Sequence, residues 1–195
     1  QSFHQAAWRI FASTPREANQ YAQRSRRATN NIVTTGYTKF DLYRDRTATP
    51  PERPKIIWAP HWTIGLIYPA LNLGTFSEIC NDMLYYMHER QDIDFLFKPH
   101  PNLKYACEKT TFMSQDLYEG YLERVRSLPN ATVSLDGNNI ERFLNSSAMI
   151  TDSVSFLAEY LPSTRPLLFL ERPDRSVFSD VGEEVINAHY RANGI

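Results

Sequence analysis

Five short apolar segments, separated by longer amphipathic stretches, constrain the fold of this chain more than any other feature. They begin at Ile56, Phe95, Ala131, Ala148 and Pro166, with the sequences IIWAP, FLFKP, ATVSL, AMITD and PLLFL. Short apolar runs bounded by proline or polar residues are typical of strands buried on both faces of a parallel sheet. The sequence therefore predicts an α/β fold in which helices flank a parallel sheet.

The stretches between these segments have the periodicity of helices. TFSEICNDMLYYMHER has apolar residues three or four apart, with Thr75 or Ser77 as the predicted cap, and SQDLYEGYLERVRSL, from Ser114, repeats the spacing. NIERFLNSS predicts a short third helix before AMITD. Each predicted helix would connect two parallel strands.

The chain is predicted to have three parts. Residues 1–45 are polar at first and then contain NIVTTGYTKFD, a predicted strand and glycine turn, and we interpret them as an arm and connector from a preceding domain. Residues 46–54, RTATPPERP, form a proline-rich linker. Residues 55–195 contain the five apolar segments and form the main predicted domain. Because the chain begins with Gln1 rather than Met, we expect neighbouring domains to be missing.

Composition argues against several classes of protein. A net charge of −1 over 195 residues gives no long-range field for nucleic acid. Cys80 and Cys107 have no CxxC spacing, so the sequence predicts neither a zinc site nor a disulfide framework, and a reducing cytoplasm fits. No run approaches the roughly twenty apolar residues that a membrane span requires.

Polar residues directly follow three of the predicted strands, where ligands bind in open parallel sheets. After the second strand, His100 can donate to a phosphate oxygen or protonate a leaving group, and Lys98 adds a positive charge. A hydrogen-bonded structural histidine is the alternative. After the first strand, His61, Trp62 and Thr63 either line a donor site or form a packed loop.

The third strand end places small polar residues where a helix would begin. Backbone N–H groups near Thr151, Asp152, Ser153 and Ser155 could bind phosphate, although Asp152 or Ser153 could equally cap the helix. Glu159 lies four residues after Ser155 and could accept hydrogen bonds from ribose hydroxyls, or be an ordinary surface carboxylate. All three strand ends are expected on one edge of the sheet.

The chain contains no GxGxxG, GxxxxGK[ST] or GxSxG motif, which disfavours the common dinucleotide and ATP folds and the hydrolase nucleophile elbow. We therefore expect phosphate to be bound by a helix start together with Lys98 and His100.

Five blocks, in order, resemble the CDP-glycerol glycerophosphotransferase family, which makes teichoic acids and related capsule polymers. They are TGYTKFD, IIWAPHWT, FLFKPHP, MITDSVSFLAEYL and RPLLFLERPD, and they cover Asn31 to Asp174. The resemblance implies that residues 55–195 are the nucleotide-donor-binding, Rossmann-like C-terminal half of a two-domain GT-B fold.

The resemblance also implies an activity: transfer of glycerol phosphate from CDP-glycerol to a hydroxyl of a growing, lipid-linked polymer, with release of CMP. His100 would be catalytic, contacting the pyrophosphate and assisting departure of CMP. Asp152–Ser155 match the family's D-Y-S-S block, and Glu159 matches the acidic residue of the next helix. The CDP-linked donor is a substrate, no cofactor and no structural metal is expected, and dependence on a metal ion stays open. The family's other catalytic histidine lies in an N-terminal acceptor domain that this chain is expected to lack.

Two blocks depart from the family pattern. Pro60–Thr63 stands where P-T-W-R is common, so an arginine is missing, and Ser153 and Val154 replace the tyrosine and first serine of D-Y-S-S. A donor carrying ribitol or another group is therefore an open alternative. Two other readings also stay open: a CMP-sugar transferase of the Kdo type, which resembles this chain in a Lys-Pro-His-Pro loop, and a non-catalytic Rossmann-like interaction module.

The resemblance implies a bacterial protein that acts in the cytoplasm, at the inner face of the cell membrane, because its acceptor is lipid-linked. Peripheral membrane contact is expected, and the basic cluster of Arg24, Arg26 and Arg27 is the candidate for it. No nucleic-acid partner is expected.

Overall fold

A computed structural model describes residues 6–24, 31–65, 71–137, 139–173 and 178–193. The chain forms two compact units, residues 1–46 and 47–195. In the first, two short strands pair in parallel and a helix connects them: β1 (Ile10–Ala12), α1 (Pro15–Arg24) and β2 (Ile32–Thr34). The predicted strand and glycine turn are confirmed, because Gly36 follows β2 with a φ of 82°. Arg26, Arg27 and Asp174 lie outside the described residues.

The second unit contains a six-stranded parallel sheet. Its strands are β3 (Lys55–Ala59), β4 (Asp94–Phe97), β5 (Ala131–Val133), β6 (Ala148–Thr151), β7 (Leu167–Glu171) and β8 (Tyr190–Asn193). The five predicted strands are confirmed. The sixth, YRAN, is a short polar edge strand whose sequence gives no apolar signal.

The described residues of this unit form six α-helices: α2 (Phe76–Glu89), α3 (Leu103–Lys109), α4 (Gln115–Arg126), α5 (Ile140–Leu144), α6 (Val154–Glu159) and α7 (Asp180–Ile186). The three helices predicted from periodicity correspond to α2, α4 and α5. Ser114 caps α4, because its side chain accepts from the backbone N–H of Leu117. Within the described ranges, no helix has both the length and the apolar character that crossing a membrane requires.

The core beneath the sheet is aromatic. Trp58 of β3 stacks on Phe76 with ring centroids 5.8 Å apart and packs against Phe97 of β4 at 4.8 Å. Tyr121 of α4 completes the cluster, and its hydroxyl donates to the carbonyl of Cys80 at 2.8 Å. Alternating side chains of β3 and β4 therefore fix α2 and α4 against one face of the sheet.

The strand order is β5-β4-β3-β6-β7-β8. From β3 the chain proceeds to β4 and β5 on one side, and from β6 it proceeds to β7 and β8 on the other. The direction of winding therefore reverses between β3 and β6, and in such sheets a crevice opens there, beyond the carboxyl ends of the strands. We call this side of the sheet the carboxyl edge.

Candidate functional site

Strand register brings His61 and His100 together at the carboxyl edge. Trp58 of β3 pairs with Phe97 of β4, and the pairing continues past both strands through hydrogen bonds from Lys98 N to Trp58 O and from His100 N to Pro60 O. Three residues beyond Trp58 and Phe97, the two imidazole rings lie with centroids 5.5 Å apart. The two loops thus present a histidine pair that sequence analysis did not predict as a pair.

The ring of His61 is buried and neutral. Its Nδ1 lies 2.8 Å from the Thr63 hydroxyl oxygen and accepts from the Thr63 backbone N–H at 3.3 Å. Because Nδ1 is an acceptor, the ring proton must be on Nε2. Burial, with a smaller contribution from the nearby His100, lowers the pKa of His61 to about 4. His61 is thus a neutral Nε2–H donor at physiological pH.

His100 has the same tautomer for a different reason. Its Nδ1 accepts from the backbone N–H of Asn102 at 3.0 Å, which again leaves the proton on Nε2. Burial lowers the pKa of His100 below its usual value. The half-buried indole of Trp62 lies 5.8 Å from this ring and 6.0 Å from that of His61, measured between centroids. Two neutral N–H donors and one aromatic surface therefore share one site.

Asp152 lies beneath this site rather than at its surface. Its side chain is 0% exposed. One carboxylate oxygen accepts from the His61 backbone N–H at 2.5 Å, and the other accepts from the Thr75 N–H at 2.6 Å and the Thr75 hydroxyl at 2.9 Å. Burial raises the pKa of Asp152 to about 6, while these hydrogen bonds oppose the rise. The alternative that Asp152 caps α6 is wrong, because its oxygens bond elsewhere.

Lys98 faces a different loop from His100. It is buried, and its ammonium donates to the backbone carbonyl of Asp136, in the loop after β5, at 2.6 Å. Burial lowers the pKa of Lys98, the cationic Arg142 lowers it further, and the Asp136 carboxylate raises it. In this conformation Lys98 fastens the ends of β4 and β5 together.

The third strand end is more deeply buried than the sequence suggests. Thr151 donates its hydroxyl to the carbonyl of Ala59 at 2.6 Å, and its oxygen accepts from the Ser153 N–H at 3.0 Å. Ser153 occupies the cap position of α6, but its side chain makes no capping hydrogen bond. Ser155 is exposed, whereas Glu159 is 9% exposed at the end of the helix. The two therefore differ in access to solvent despite their spacing.

Sequence reasoning missed Thr75 as a partner of Asp152 and missed the histidine pair. A signal for the pair was present, because Trp58-Ala59-Pro60-His61 and Phe97-Lys98-Pro99-His100 share the pattern aromatic-x-Pro-His. Equal spacing from residues paired in parallel register brings the two histidines side by side. The sequence contains no comparable pattern that predicts the contact between Thr75 and Asp152, because these residues are 77 positions apart.

The sequence matches no protein-family model and no curated protein. Among solved structures, a variant of the wall teichoic acid polymerase TagF is similar at 18% identity and a TM-score of 0.51, over 85% of this chain and 40% of that one. S. aureus MnaA with UDP is similar at 16% identity and 0.51, over 85% and 42%. UDP-GlcNAc 2-epimerase from Methanocaldococcus jannaschii, with UDP-GlcNAc and UDP, is similar at 14% and 0.52, over 96% and 51%.

At such identities the similarity establishes the fold alone. The neighbours have GT-B-like folds, so the predicted fold class, an α/β parallel sheet flanked by helices, is confirmed. The chain spans only 40% to 51% of the length of the three structures described above.

Proposed function

We propose that residues 47–195 bind the diphosphate of a nucleotide-activated donor in a transferase of cell-surface polymer synthesis. The observation that carries the proposal is the pair of neutral Nε2–H donors of His61 and His100, 5.5 Å apart between ring centroids. Each can donate one hydrogen bond to a phosphoryl oxygen without a change of protonation. The pair lies at the carboxyl edge, and His61 follows β3, one of the two strands between which the winding of the sheet reverses, which supports a nucleotide ligand.

The donor that the sequence resemblance favours is CDP-glycerol, or a related CDP-linked polyol or sugar phosphate. A hydroxyl of the acceptor attacks the distal phosphorus in line, a new O–P bond forms, and the bond between that phosphorus and the bridging oxygen breaks to release CMP. The acceptor hydroxyl proton passes to a base outside this site. His100 is the proposed catalytic residue, because its Nε2–H stabilises charge on the departing phosphate.

The other proposed donor-binding residues have different tasks. His61 supplies the second N–H donor, and Trp62 an aromatic surface for the donor. The first N–H groups of α6, those of Val154 and Ser155, have no partner within the helix and can bind phosphate oxygens, whereas the Ser153 N–H donates to the Thr151 hydroxyl oxygen. Glu159 is the proposed acceptor for ribose hydroxyls. Thr63, Lys98, Thr151 and Asp152 act beneath the site, through the hydrogen bonds described above.

The acceptor in this proposal is a growing, lipid-linked polymer, and the reaction takes place at the inner face of the cell membrane. An N-terminal domain outside these 195 residues would bind the acceptor, as the sequence resemblance implies. The similarity in fold to TagF, a wall teichoic acid polymerase by name, supports this reading.

Calorimetric titration with CDP-glycerol, CDP-ribitol, CMP-Kdo, UDP-GlcNAc, CMP and UMP tests the proposal. We expect selective binding of a CDP-linked donor, and about a tenfold loss of affinity in His100→Ala, which is the cost of one good hydrogen bond. His88→Ala is the matched control, because His88 is exposed in the last turn of α2, the helix that begins at the site. In the full-length enzyme His100→Ala should abolish transfer.

Three other outcomes would replace the proposal. The solved epimerase and MnaA structures contain UDP or UDP-GlcNAc on a similar fold, so preferred binding of UDP-GlcNAc would indicate a UDP-sugar enzyme. Preferred binding of CMP-Kdo would indicate a CMP-sugar transferase. No binding of any nucleotide would indicate a non-catalytic interaction module.

A further inference from the structure

We infer that Asp152 is a positioning residue that fastens the histidine-bearing loop to the start of α2 and does not touch the donor. The inference deepens the proposed function and rests on it for the ligand used in the test. Three hydrogen bonds connect Asp152 to two segments, His61 at 91 positions away and Thr75 at 77. A side chain with 0% exposure, whose two oxygens accept three hydrogen bonds from the protein, is closed to a ligand from solvent.

The contacts around Thr63 show how this carboxylate acts on the imidazole of His61. The segment before α2 folds back on the loop, because the N–H of Gly74 donates to the Thr63 carbonyl at 3.2 Å and the N–H of Leu73 to the Thr63 hydroxyl at 3.2 Å. That same hydroxyl lies beside Nδ1 of His61. Asp152 therefore closes the base of a loop whose upper part selects the Nε2–H tautomer.

Close packing restricts the positions that the backbone of this loop can adopt. A Cβ atom on Gly74 would lie 3.0 Å from the carbonyl oxygen of His61, tighter than ordinary contact. When the Asp152 contacts are lost, we expect the backbone of His61 to separate from Thr75 and the imidazole to leave Thr63. The Nε2–H group would then no longer point in a single direction.

The variants Asp152→Asn, Thr75→Val and Thr75→Ser test the inference, at pH 7.5 where the carboxylate is ionised. Asparagine keeps the shape but offers one acceptor oxygen and turns an N–H₂ group toward a donor, so we expect at least a tenfold loss of donor affinity. Thr75→Val should cause a smaller loss and Thr75→Ser none. The double variant Asp152→Asn, Thr75→Val should bind no worse than Asp152→Asn alone, since both act through one loop.

Nitrogen-15 NMR spectra of the histidine rings report the tautomer of each ring, which a loss of stability alone does not change. Wild type should show His61 as a single Nε2–H tautomer, and Asp152→Asn should show a tautomer mixture together with faster exchange of the His61 amide proton. Ile186→Ala is the control, because this fully buried residue of α7 lies outside the loop. It should lower the melting temperature while leaving donor affinity and the His61 signals unchanged.

Two results would overturn the inference. One is an Asp152→Asn protein that binds like wild type. The other is a loss of affinity in Asp152→Asn with unchanged His61 signals and a wild-type Thr75→Val, which would indicate direct contact between Asp152 and the donor. If wild type binds no nucleotide, the proposed function fails, and the His61 tautomer and amide exchange still decide whether Asp152 fastens the loop.

Discussion

Replacing His61 with asparagine should change how the free energy of unfolding depends on pH. In the folded chain, burial lowers the pKa of His61 to about 4, whereas an unfolded histidine has a pKa of about 6.5. Between those values the unfolded chain binds a proton that the folded chain does not, so wild type loses stability as the pH falls. The difference corresponds to about 3 kcal/mol. His61→Asn should therefore be most costly near pH 7 and about 3 kcal/mol less costly near pH 4.

Asp152→Asn should show the opposite trend. Burial raises the pKa of Asp152 to about 6 from about 3.9 in the unfolded chain, so the folded chain binds the extra proton in this window. Wild type then loses about 2 kcal/mol from this group as the pH rises from 4 to 7. In wild type the contributions of His61 and Asp152 to the pH dependence of the free energy of unfolding largely offset each other. Each single variant therefore shows the pH dependence of the group that it retains.

Urea denaturation from pH 4 to 7.5, followed by tryptophan fluorescence, measures both trends. A Trp8→Phe background leaves Trp58 and Trp62, both within residues 47–195, to report on the second unit. His88→Asn, at an exposed position of α2, controls for removing a histidine from the unfolded chain. The reasoning would be refuted if the free energy of unfolding of either variant depended on pH in the same way as that of wild type. It would also be refuted if the difference from wild type changed in the same direction with pH in both variants.

Three further predictions follow from single contacts. Asn130→Asp should cost at least about 3 kcal/mol in urea denaturation at pH 7, because the buried amide donates to three backbone carbonyls and a carboxylate would repel them. Tyr121→Phe should cost about 1 kcal/mol in the same assay, the value of one buried hydrogen bond. Donor affinity, measured by calorimetry, should fall little as salt increases, because His61 and His100 are neutral donors; a steep fall would indicate a cationic contact.

The sequence predicted the parts of the fold that carry a strong local signal. Five apolar segments became β3 to β7, and α2, α4 and α5 began within one or two residues of their predicted starts. The strand β8 and the helix α7 were not predicted, since YRAN and DVGEEVI have too few apolar residues to show a period. Apolar periodicity identifies elements that face the core from one side, and β8 is an edge strand of the sheet.

The candidate site was predicted in part, for a reason that lies in strand pairing. Sequence alone indicated that His61, His100 and Asp152 follow strands that end on one edge of the sheet, because carboxyl ends of parallel strands share an edge. It did not reveal the direction of each side chain. Lys98 points to the loop after β5, and Asp152 points into the protein, since register and burial, which depend on distant residues, decide both orientations.

The departure from P-T-W-R becomes understandable once the register is known. An arginine at position 63 would place a cation where the Thr63 hydroxyl now lies 2.8 Å from Nδ1 of His61 and accepts from the N–H of Leu73. The small hydroxyl leaves room for the returning segment at Gly74, and the backbone N–H of Thr63 donates to Nδ1 of the imidazole. The two differences are therefore compatible, because Thr63 contacts Nδ1 of His61 and leaves the Nε2–H of His61 as the donor.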